Sequence, residues 1–365
     1  MEFSWQVYLI DAYILLFLVS LINYVFRDPI GKGAIPPVDK KISVLIPARN
    51  EEQNLGKLLE SLLHQEHPPH EILVYDDEST DGTAELVRQY EQQTGTIRLI
   101  SSTGLPEGWL GKNHACYRLA QEAVGDYFLF LDADVRLENK AISRLLHYAD
   151  QKQLSLVSVF PKQEFSSLGE QATVPIMNQI LLSLLPLAAV RYLGFSSMAA
   201  ANGQFMLFDK DSYLELQPHR EFRMEKVEDI HIARHFKKSK RTIACLASEE
   251  TVSCRMYRST SEAIQGFSRN IHHYFGGSHA LALLYWLFHV VVPMIFLLSG
   301  NAVYFLLVVL LGTARRSLNS LTSHQSMWLN NRMALVQHFY FAIILFYSYQ
   351  KTLQKSFQWK GRSIS

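Results

Sequence analysis

The sequence predicts an α/β domain built on a mostly parallel sheet and held between membrane-directed ends. Three observations predict it. Strand and helix patterns alternate from Lys41 to Leu131, acidic clusters follow three of the strands, and long apolar runs sit towards both ends of the chain.

The N-terminal run comes first. Val7 to Phe26 is uninterrupted enough to match the roughly 30 Å hydrocarbon core at about 1.5 Å per residue. No basic stretch precedes it and no small-residue cleavage site follows, which argues for an uncleaved anchor rather than a leader peptide. Arg27, Lys32, Lys40 and Lys41 follow it, so its C-terminal side is expected to be cytoplasmic. Asp11 lies close enough to the outer end of the run to reach the interface. The anchor is assigned to residues 1–28. Residues 29–40, with Gly31, Gly33, Pro36 and Pro37, read as a linker.

The alternating region follows, assigned to residues 41–255. Ile42 to Ile46 is a buried strand closed by Pro47. Glu51 to Glu66 has helical periodicity, with Leu55, Leu58, Leu59, Leu62 and Leu63 on one face. Strands are predicted at Ile72 to Tyr75, Ile97 to Ser101 and Tyr127 to Leu131, and helices at Thr83 to Gln92 and Lys112 to Val124. Such alternation puts chemistry at the carboxyl ends of the strands. Ile176 to Ala201 is apolar but interrupted by Asn178, Gln179, Pro186 and Arg191, which suits a segment resting on the bilayer surface.

The C-terminal part is assigned as an interfacial segment (256–279), a membrane region (280–350) and a basic cytoplasmic tail (351–365). Ala280 to Leu298 and Ala302 to Leu311 form a helical hairpin about the turn Ser299-Gly300-Asn301. Arg315 and Arg316 follow the hairpin. The run Met333 to Tyr349 contains Gln337 and His338 and precedes Lys351, Lys355, Lys360 and Arg362. A re-entrant or interfacial third segment keeps both basic clusters inside. His272, His273 and His279 lack metal-ligand spacing and read as interfacial histidines.

Composition narrows the function. The net charge of +1 gives no basic field for nucleic acid, so none is expected as a partner. The 3 cysteines, Cys116, Cys245 and Cys254, lack a CxxC spacing and read as reduced, buried thiols facing a reducing compartment.

The chemistry sits at the strand ends. The first strand runs into Pro47-Ala48-Arg49-Asn50-Glu51-Glu52, the second into Asp76-Asp77-Glu78-Ser79-Thr80-Asp81-Gly82, and the strand ending at Leu131 into Asp132-Ala133-Asp134. Ser79 or Asp81 serves to cap the helix from Thr83. Capping does not account for Asp132 and Asp134, whose spacing of two after an apolar strand suits a hard divalent cation, Mg²⁺ or Mn²⁺, that also takes diphosphate oxygens. The segment after the first strand contains no glycine. That disfavours both the triphosphate loop of a nucleotidyltransferase and a GxGxxG dinucleotide site.

With Glu228-Asp229, these motifs in order resemble the family 2 inverting glycosyltransferases of GT-A fold, over roughly Lys41 to Cys254. The resemblance implies a Rossmann-like mixed sheet with helices on both faces, extended here by N- and C-terminal transmembrane helices. It implies a nucleotide-sugar donor, UDP-glucose first. Pro47, Ala48, Arg49 and Glu51 would lie beside the nucleoside, with Asp77 on the base, Asp132 on the ribose side and Asp134 on the metal. It makes Asp229 the base and Glu228 its neighbour. The alternative for that pair is an N-terminal helix charge pair.

Gly108-Trp109-Leu110-Gly111-Lys112-Asn113 and Trp359-Lys360-Gly361-Arg362 are similar to membrane-bound members linked to carotenoid and hopanoid glycosylation, such as the diaponeurosporenoate glycosyltransferases. A membrane lipid acceptor follows from that resemblance. Lys112 either meets the diphosphate or is a solvated helix-start residue, and Trp109 either stacks on the acceptor or fills its loop. Gln265-Gly266-Phe267-Ser268-Arg269-Asn270 departs from the Gln-x-x-Arg-Trp pattern of the processive polysaccharide synthases. That departure favours single transfer and leaves Gln265 and Arg269 as acceptor-contact candidates.

Overall fold

The computed structural model describes residues 5–27, 30, 36–247 and 251–354, and the backbone at 358–359 and 362–363. Half of the linker, Lys355, Lys360, Gly361 and the side chains of Trp359 and Arg362 therefore lie outside the described residues. After the N-terminal helix α1 (Trp5–Val25), the predicted alternation follows in order. It comprises β1 (Ile42–Ala48), α2 (Glu52–Leu63), β2 (Glu71–Asp76), α3 (Thr83–Thr94), β3 (Ile97–Ser101), α4 (Gly111–Glu122) and β4 (Tyr127–Leu131).

Period-two patterning decides which face each strand residue covers. Val44 and Ile46 of β1 and Leu129 of β4 enter one core with Leu55, Leu58, Leu59 and Leu62 of α2. Leu45, Phe128 and Phe130 enter a second core on the opposite face with Ala115 and Leu119 of α4. Full burial of a leucine such as Leu58 contributes about 1.5–3 kcal/mol, and Leu58→Ala costs about 2–5 kcal/mol. Leu63, expected on the buried face, is instead exposed at the last turn of α2. β1 runs on through Pro47, beyond its expected end. Its ladder with β4 stops at Leu45 and only the β2 ladder continues, so the missing N–H of Pro47 breaks no pairing with β4.

The chain continues through β5 (Val135–Leu137), α5 (Ala141–Gln151), β6 (Leu156–Phe160), β7 (Lys162–Gln163), α6 (Leu168–Thr173), α7 (Pro175–Leu184) and α8 (Leu187–Tyr192). Next come β8 (Phe205–Asp209), α9 (Lys210–Leu216), α10 (Pro218–Glu221), α11 (Glu228–Lys238), β9 (Ile243–Ala247) and β10 (Val252–Cys254). The main sheet has the order β3-β2-β1-β4-β8-β6-β9, and β8 runs antiparallel to both of its neighbours. A small sheet, β5-β10-β7, lies beyond the end of β4. This mixed sheet, with helices on both faces, is the GT-A fold.

The C-terminal helices are α12 (Thr260–Asn270), α13 (His279–Leu298), α14 (Ala302–Thr322), α15 (Met327–Arg332) and α16 (Ala334–Gln354). Three helices, α1, α13 and α14, are long and apolar enough to cross a membrane. The turn between α13 and α14 forms as predicted. Gly300 takes φ +71°, and the Asn301 side chain accepts from Tyr304 N at 3.2 Å. α16, at 21 residues, is as long as these helices but is not among the three.

The segment Ile176 to Ala201 divides in two. α7 is largely buried, packed against α1 and α14, and Asn23 of α1 fastens it. The Asn23 amide donates to Leu182 O and Leu185 O at 2.9 Å and accepts from Leu187 N at 2.7 Å. Only the later part, with exposed Leu184, Tyr192, Leu193 and Phe195, is open to a bilayer surface. Arg315 and Arg316, read in the sequence as flanking charges, are buried among the helices. Helix packing covers them, which local sequence does not reveal.

Candidate active site

Four elements meet where β4 and β8 pass each other in opposite directions. α4 contributes Lys112, the turn after β4 Asp132, the approach to β8 Gly203, and the first turn of α11 Glu228 and Asp229. Lys112 Nζ lies 2.8 Å from Asp132 Oδ1 and 3.5 Å from Glu228 Oε1, and donates to Gly203 O at 3.4 Å. The solvated reading of Lys112 therefore falls, because its ammonium is enclosed by acceptors. Burial disfavours its charge, but Asp132 and Glu228 outweigh that and hold its pKa well above the usual lysine value.

Asp229 is fixed by backbone. Its Oδ2 accepts from Gly203 N at 2.9 Å and its Oδ1 from Ile230 N at 2.8 Å. Burial still raises its pKa above the ordinary aspartate value, against those two N–H groups. Burial lifts Glu228 to about 7, against the pull of Lys112 and with the push of Asp229. The pair begins a helix, with Glu228 buried and Asp229 half-buried, and it faces Lys112 and Gly203 as well as the helix dipole. Gly203 is part of the arrangement. A Cβ there would lie 3.2 Å from both Glu228 Oε1 and Lys112 Nζ, so those side chains would have to give by a few tenths of an ångström. The run Ala199-Ala200-Ala201-Asn202-Gly203 was the available sequence signal, since small residues before a strand permit such close approach.

Asp134 lies on the other side of Asp132. Its oxygens meet the Gln204 amide at 3.4 and 3.5 Å, and Gln204 also reaches Cys254 Sγ at 2.9 Å. Burial, then the charges of Asp132 and Glu51, push Asp134 up to about 6. Asp132 and Asp134 stand two residues apart in the turn after β4, and a divalent cation would relieve their mutual charge. Among the described residues no group of three or more His, Cys, Asp or Glu forms a metal cage. The donor set fits a cation that takes most of its ligands from water and diphosphate oxygens, as Mg²⁺ and Mn²⁺ do.

The loops after β1 and β2 are laced together. Arg49 Nη1 donates to Asp77 O and, at 3.2 Å, to Glu78 O. Asp77 N donates to Ala48 O at 2.8 Å, and Asn50 N to Ser79 Oγ at 2.9 Å. Glu51 accepts from the Asn54 amide at 3.0 Å. Asp81 accepts from Thr83 N at 3.1 Å, but Gly82 is the N-cap of α3 and no side chain caps it, so the capping expected of Ser79 or Asp81 does not form. Arg49, Asp77, Ala48 and Glu51 therefore share one rim, with Pro47 at the end of β1.

Trp109 packs beside Tyr117 and His114, with ring centroids 5.1 and 5.4 Å apart. His114 is a site residue that no sequence signal marked. It is buried, with Tyr75 on its other side at 6.0 Å, and its pKa is lowered by burial and Arg118 while Asp77 pulls it up. The Asn113 amide donates to the carbonyls of Phe222, Arg223 and Glu225, tying α4 to the loop before the acidic pair. Arg269 hydrogen-bonds Tyr257, a residue that feels the charge of Asp134. Gly266 gives Tyr257 its room, since a Cβ there would fall 2.1 Å from the Tyr257 hydroxyl. Gln265 is not drawn into the cluster. It is exposed and donates to Ser261 Oγ at 3.3 Å.

Comparisons with known proteins bear on the family and the fold. Residues 43–216 match the family Glycosyl transferase family 2. A 4,4'-diaponeurosporenoate glycosyltransferase of Staphylococcus haemolyticus is 29% identical over 241 residues, covering 64% of this chain and 61% of that protein. The Staphylococcus aureus (strain USA300) protein of the same name is 28% identical over 263 residues, covering 68% of this chain and 66% of that protein. The chain thus spans just under two thirds of these relatives. A mannosyltransferase from Pyrobaculum calidifontis, solved in complex with GDP-Man and Mn²⁺, superposes with a TM-score of 0.55 at 15% identity. That superposition covers 94% of this chain and 99% of that one, and is a likeness of fold.

Proposed function

We propose, on the premise that residues 43–216 are a Glycosyl transferase family 2 domain, that this protein transfers a sugar from a nucleotide-sugar donor to a membrane lipid with inversion. The observation that carries the reading is the convergence of Asp132, Glu228 and Asp229 on Lys112 and Gly203. The donor is a UDP-sugar, UDP-glucose first. The acceptor is a carotenoid acid or a hopanoid; the names of the curated relatives support the former, and the apolar helices support a membrane lipid.

In this reading Pro47, Ala48, Arg49, Glu51 and Asp77 flank the nucleoside. Asp229, oriented by Gly203 N and Ile230 N, takes the acceptor proton as the acceptor oxygen attacks the anomeric carbon and the bond to the diphosphate breaks. Glu228 sets the charge state of Asp229, and Lys112 holds Glu228 and Asp132 in register. Asp134 and Asp132 would hold a Mg²⁺ or Mn²⁺ ion, which would neutralise the leaving diphosphate. Trp109 and Arg269 are the residues read as meeting the acceptor. The chain sits in the cell membrane as a multi-pass protein, with residues 41–255 and the basic tail cytoplasmic.

The test is a membrane assay with labelled UDP-sugars, followed by lipid extraction. A single labelled glycolipid is expected. A growing polymer would favour a polysaccharide synthase, and label transferred only as nucleotide would favour a nucleotidyltransferase.

A further inference from the structure

Two adjacent arginines are buried in the helical C-terminal region without a carboxylate. Arg315 is 2% and Arg316 7% exposed, on the inward side of α14. Arg315 donates to Ser183 Oγ and to the Tyr285 hydroxyl at 3.4 Å. Arg316 donates to Asn330 O at 2.7 Å and to Gln337 Oε1. Every one of these partners is neutral. The Nε–H of each guanidinium has no hydrogen-bond partner, and neither does Nε2 of buried His289. Among the described residues no Asp or Glu forms a salt bridge with either arginine.

Two guanidiniums side by side in a low-dielectric interior repel each other and forfeit hydration, and neutral acceptors do not compensate that loss. A cavity of about 20 Å³ opens on them, room for one water or one oxygen atom of a larger group, with Gln179, Tyr285, Gln337 and His338 on its polar side. Its remaining wall is apolar, made by Ile176, Ile180 and Phe341. Its depth is informative. Tyr285 stands six residues after His279, the first residue of α13, so the arginines lie about 9 Å along that helix. Beyond them α14 is the apolar run Val303 to Leu311, with Leu306, Val309 and Leu310 exposed. A charge at that depth sits at the boundary between head groups and acyl chains.

We propose that Arg315 and Arg316 form a binding site for the phosphate oxyanion of an anionic bilayer lipid, separate from the sugar-transfer site. The oxyanion accepts from the unused guanidinium N–H groups, and the lipid chains lie along the apolar wall and the exposed face of α14. The bound head group supplies the counter-charge that the protein itself omits, joining α7, α13, α14 and α16 around it. The inference rests on the membrane placement given above.

The experiment uses the full chain purified in neutral detergent and follows unfolding on addition of phosphatidylglycerol, phosphatidylcholine of the same chains, or inorganic phosphate. Phosphatidylglycerol alone is expected to raise Tm, by about 4 °C at saturation. Arg315→Met is expected to abolish that rise while leaving the lipid-free Tm no lower than wild type, because it removes an uncompensated charge. An equal response to both lipids, or an unchanged phosphatidylglycerol response in Arg315→Met, overturns the site. An equal response to inorganic phosphate overturns the lipid assignment. If the variant does not fold, native mass spectrometry of the wild type decides: a one-to-one phosphatidylglycerol adduct must outlast the phosphatidylcholine one, and equal loss overturns the proposal. A chain that stays folded and dispersed without detergent overturns the membrane placement instead.

Discussion

Lys112 Nζ and Asp132 Oδ1 stand 2.8 Å apart, joining α4 to the turn after β4, and the same ammonium lies 3.5 Å from Glu228. One cation therefore holds two acidic motifs that are 96 positions apart in the chain (228 − 132). Removing it leaves Asp132, Glu228 and Asp229 facing one another without compensation. Lys112→Met is expected to lower kcat by about 10²–10³, in the range of a lost electrostatic contact at a reacting centre. Lys112→Arg should recover only part, because a planar fork does not reproduce a point charge. Steady-state kinetics on membranes check this. Unchanged kcat in Lys112→Met would leave the lysine a mere packing residue.

Gly203 makes a separate prediction. Its backbone does not need a left-handed conformation, so Gly203→Ala is tolerated locally, yet its Cβ would press on Glu228 and Lys112 at 3.2 Å. A displacement of a few tenths of an ångström at a reacting centre is expected to cut kcat by about tenfold or more while Tm moves little. Measuring both in one preparation separates the site effect from unfolding. A large fall in Tm with normal specific activity would contradict it.

The first half of the sheet was legible because burial writes a period of two into each strand and a helical stripe into α2. The position of β8 was not. It inserts antiparallel between β4 and β6, and that choice is made by long-range pairing that no local pattern carries. The acidic motifs were visible as residue types at strand ends, whereas the partners that tune them were not. Lys112 reads locally as the start of a helix and Gly203 as the start of a strand, and their contact with Glu228 exists only once α4, β8 and α11 are assembled. The same limit made Arg315 and Arg316 look like flanking charges. Flanking position is a local property, and burial against α7 and α13 is not.

The metal reading rests on Asp132 and Asp134 in the turn after β4, and on the burial and neighbouring negative charge that raise Asp134. Chelation by EDTA is expected to abolish transfer, and added Mg²⁺ or Mn²⁺ to restore it. Asp134→Ala is expected to stay inactive in excess Mn²⁺, since the ligand itself is gone. Full turnover in EDTA would remove the metal from the reaction.

The acidic pair predicts a pH profile. Glu228 titrates near about 7, and Asp229 is raised by burial. The base works only when ionised, so kcat/KM should rise with pH through a limb above the ordinary carboxylate range. As a coupled pair, the two groups give apparent values that belong to both. Glu228→Gln removes the neighbouring negative charge, makes ionisation of Asp229 easier, and should shift the limb to lower pH. A wild-type profile flat between about pH 5 and 8 would count against a raised carboxylate as the base.

Asp229→Asn tests mechanism and acceptor class together. A hydroxyl acceptor must lose its proton as it attacks, and a positioned base contributes about 10²–10⁴-fold to that step. A carboxylic acid acceptor, with a pKa of roughly 4.3, is already ionised at neutral pH and would be repelled by a nearby carboxylate. Asn keeps the size of Asp229 and can still accept from Gly203 N, but it has no basicity. With a hydroxyl lipid the variant is therefore expected to lose about 10²–10⁴ in kcat. With a carotenoid acid of matched chain the loss should be much smaller and reflect positioning alone. Turnover at saturating donor with the two acceptors decides between them. Near-wild-type rates with both would show that Asp229 is not the base, and the assignment of the acidic pair would fall with it.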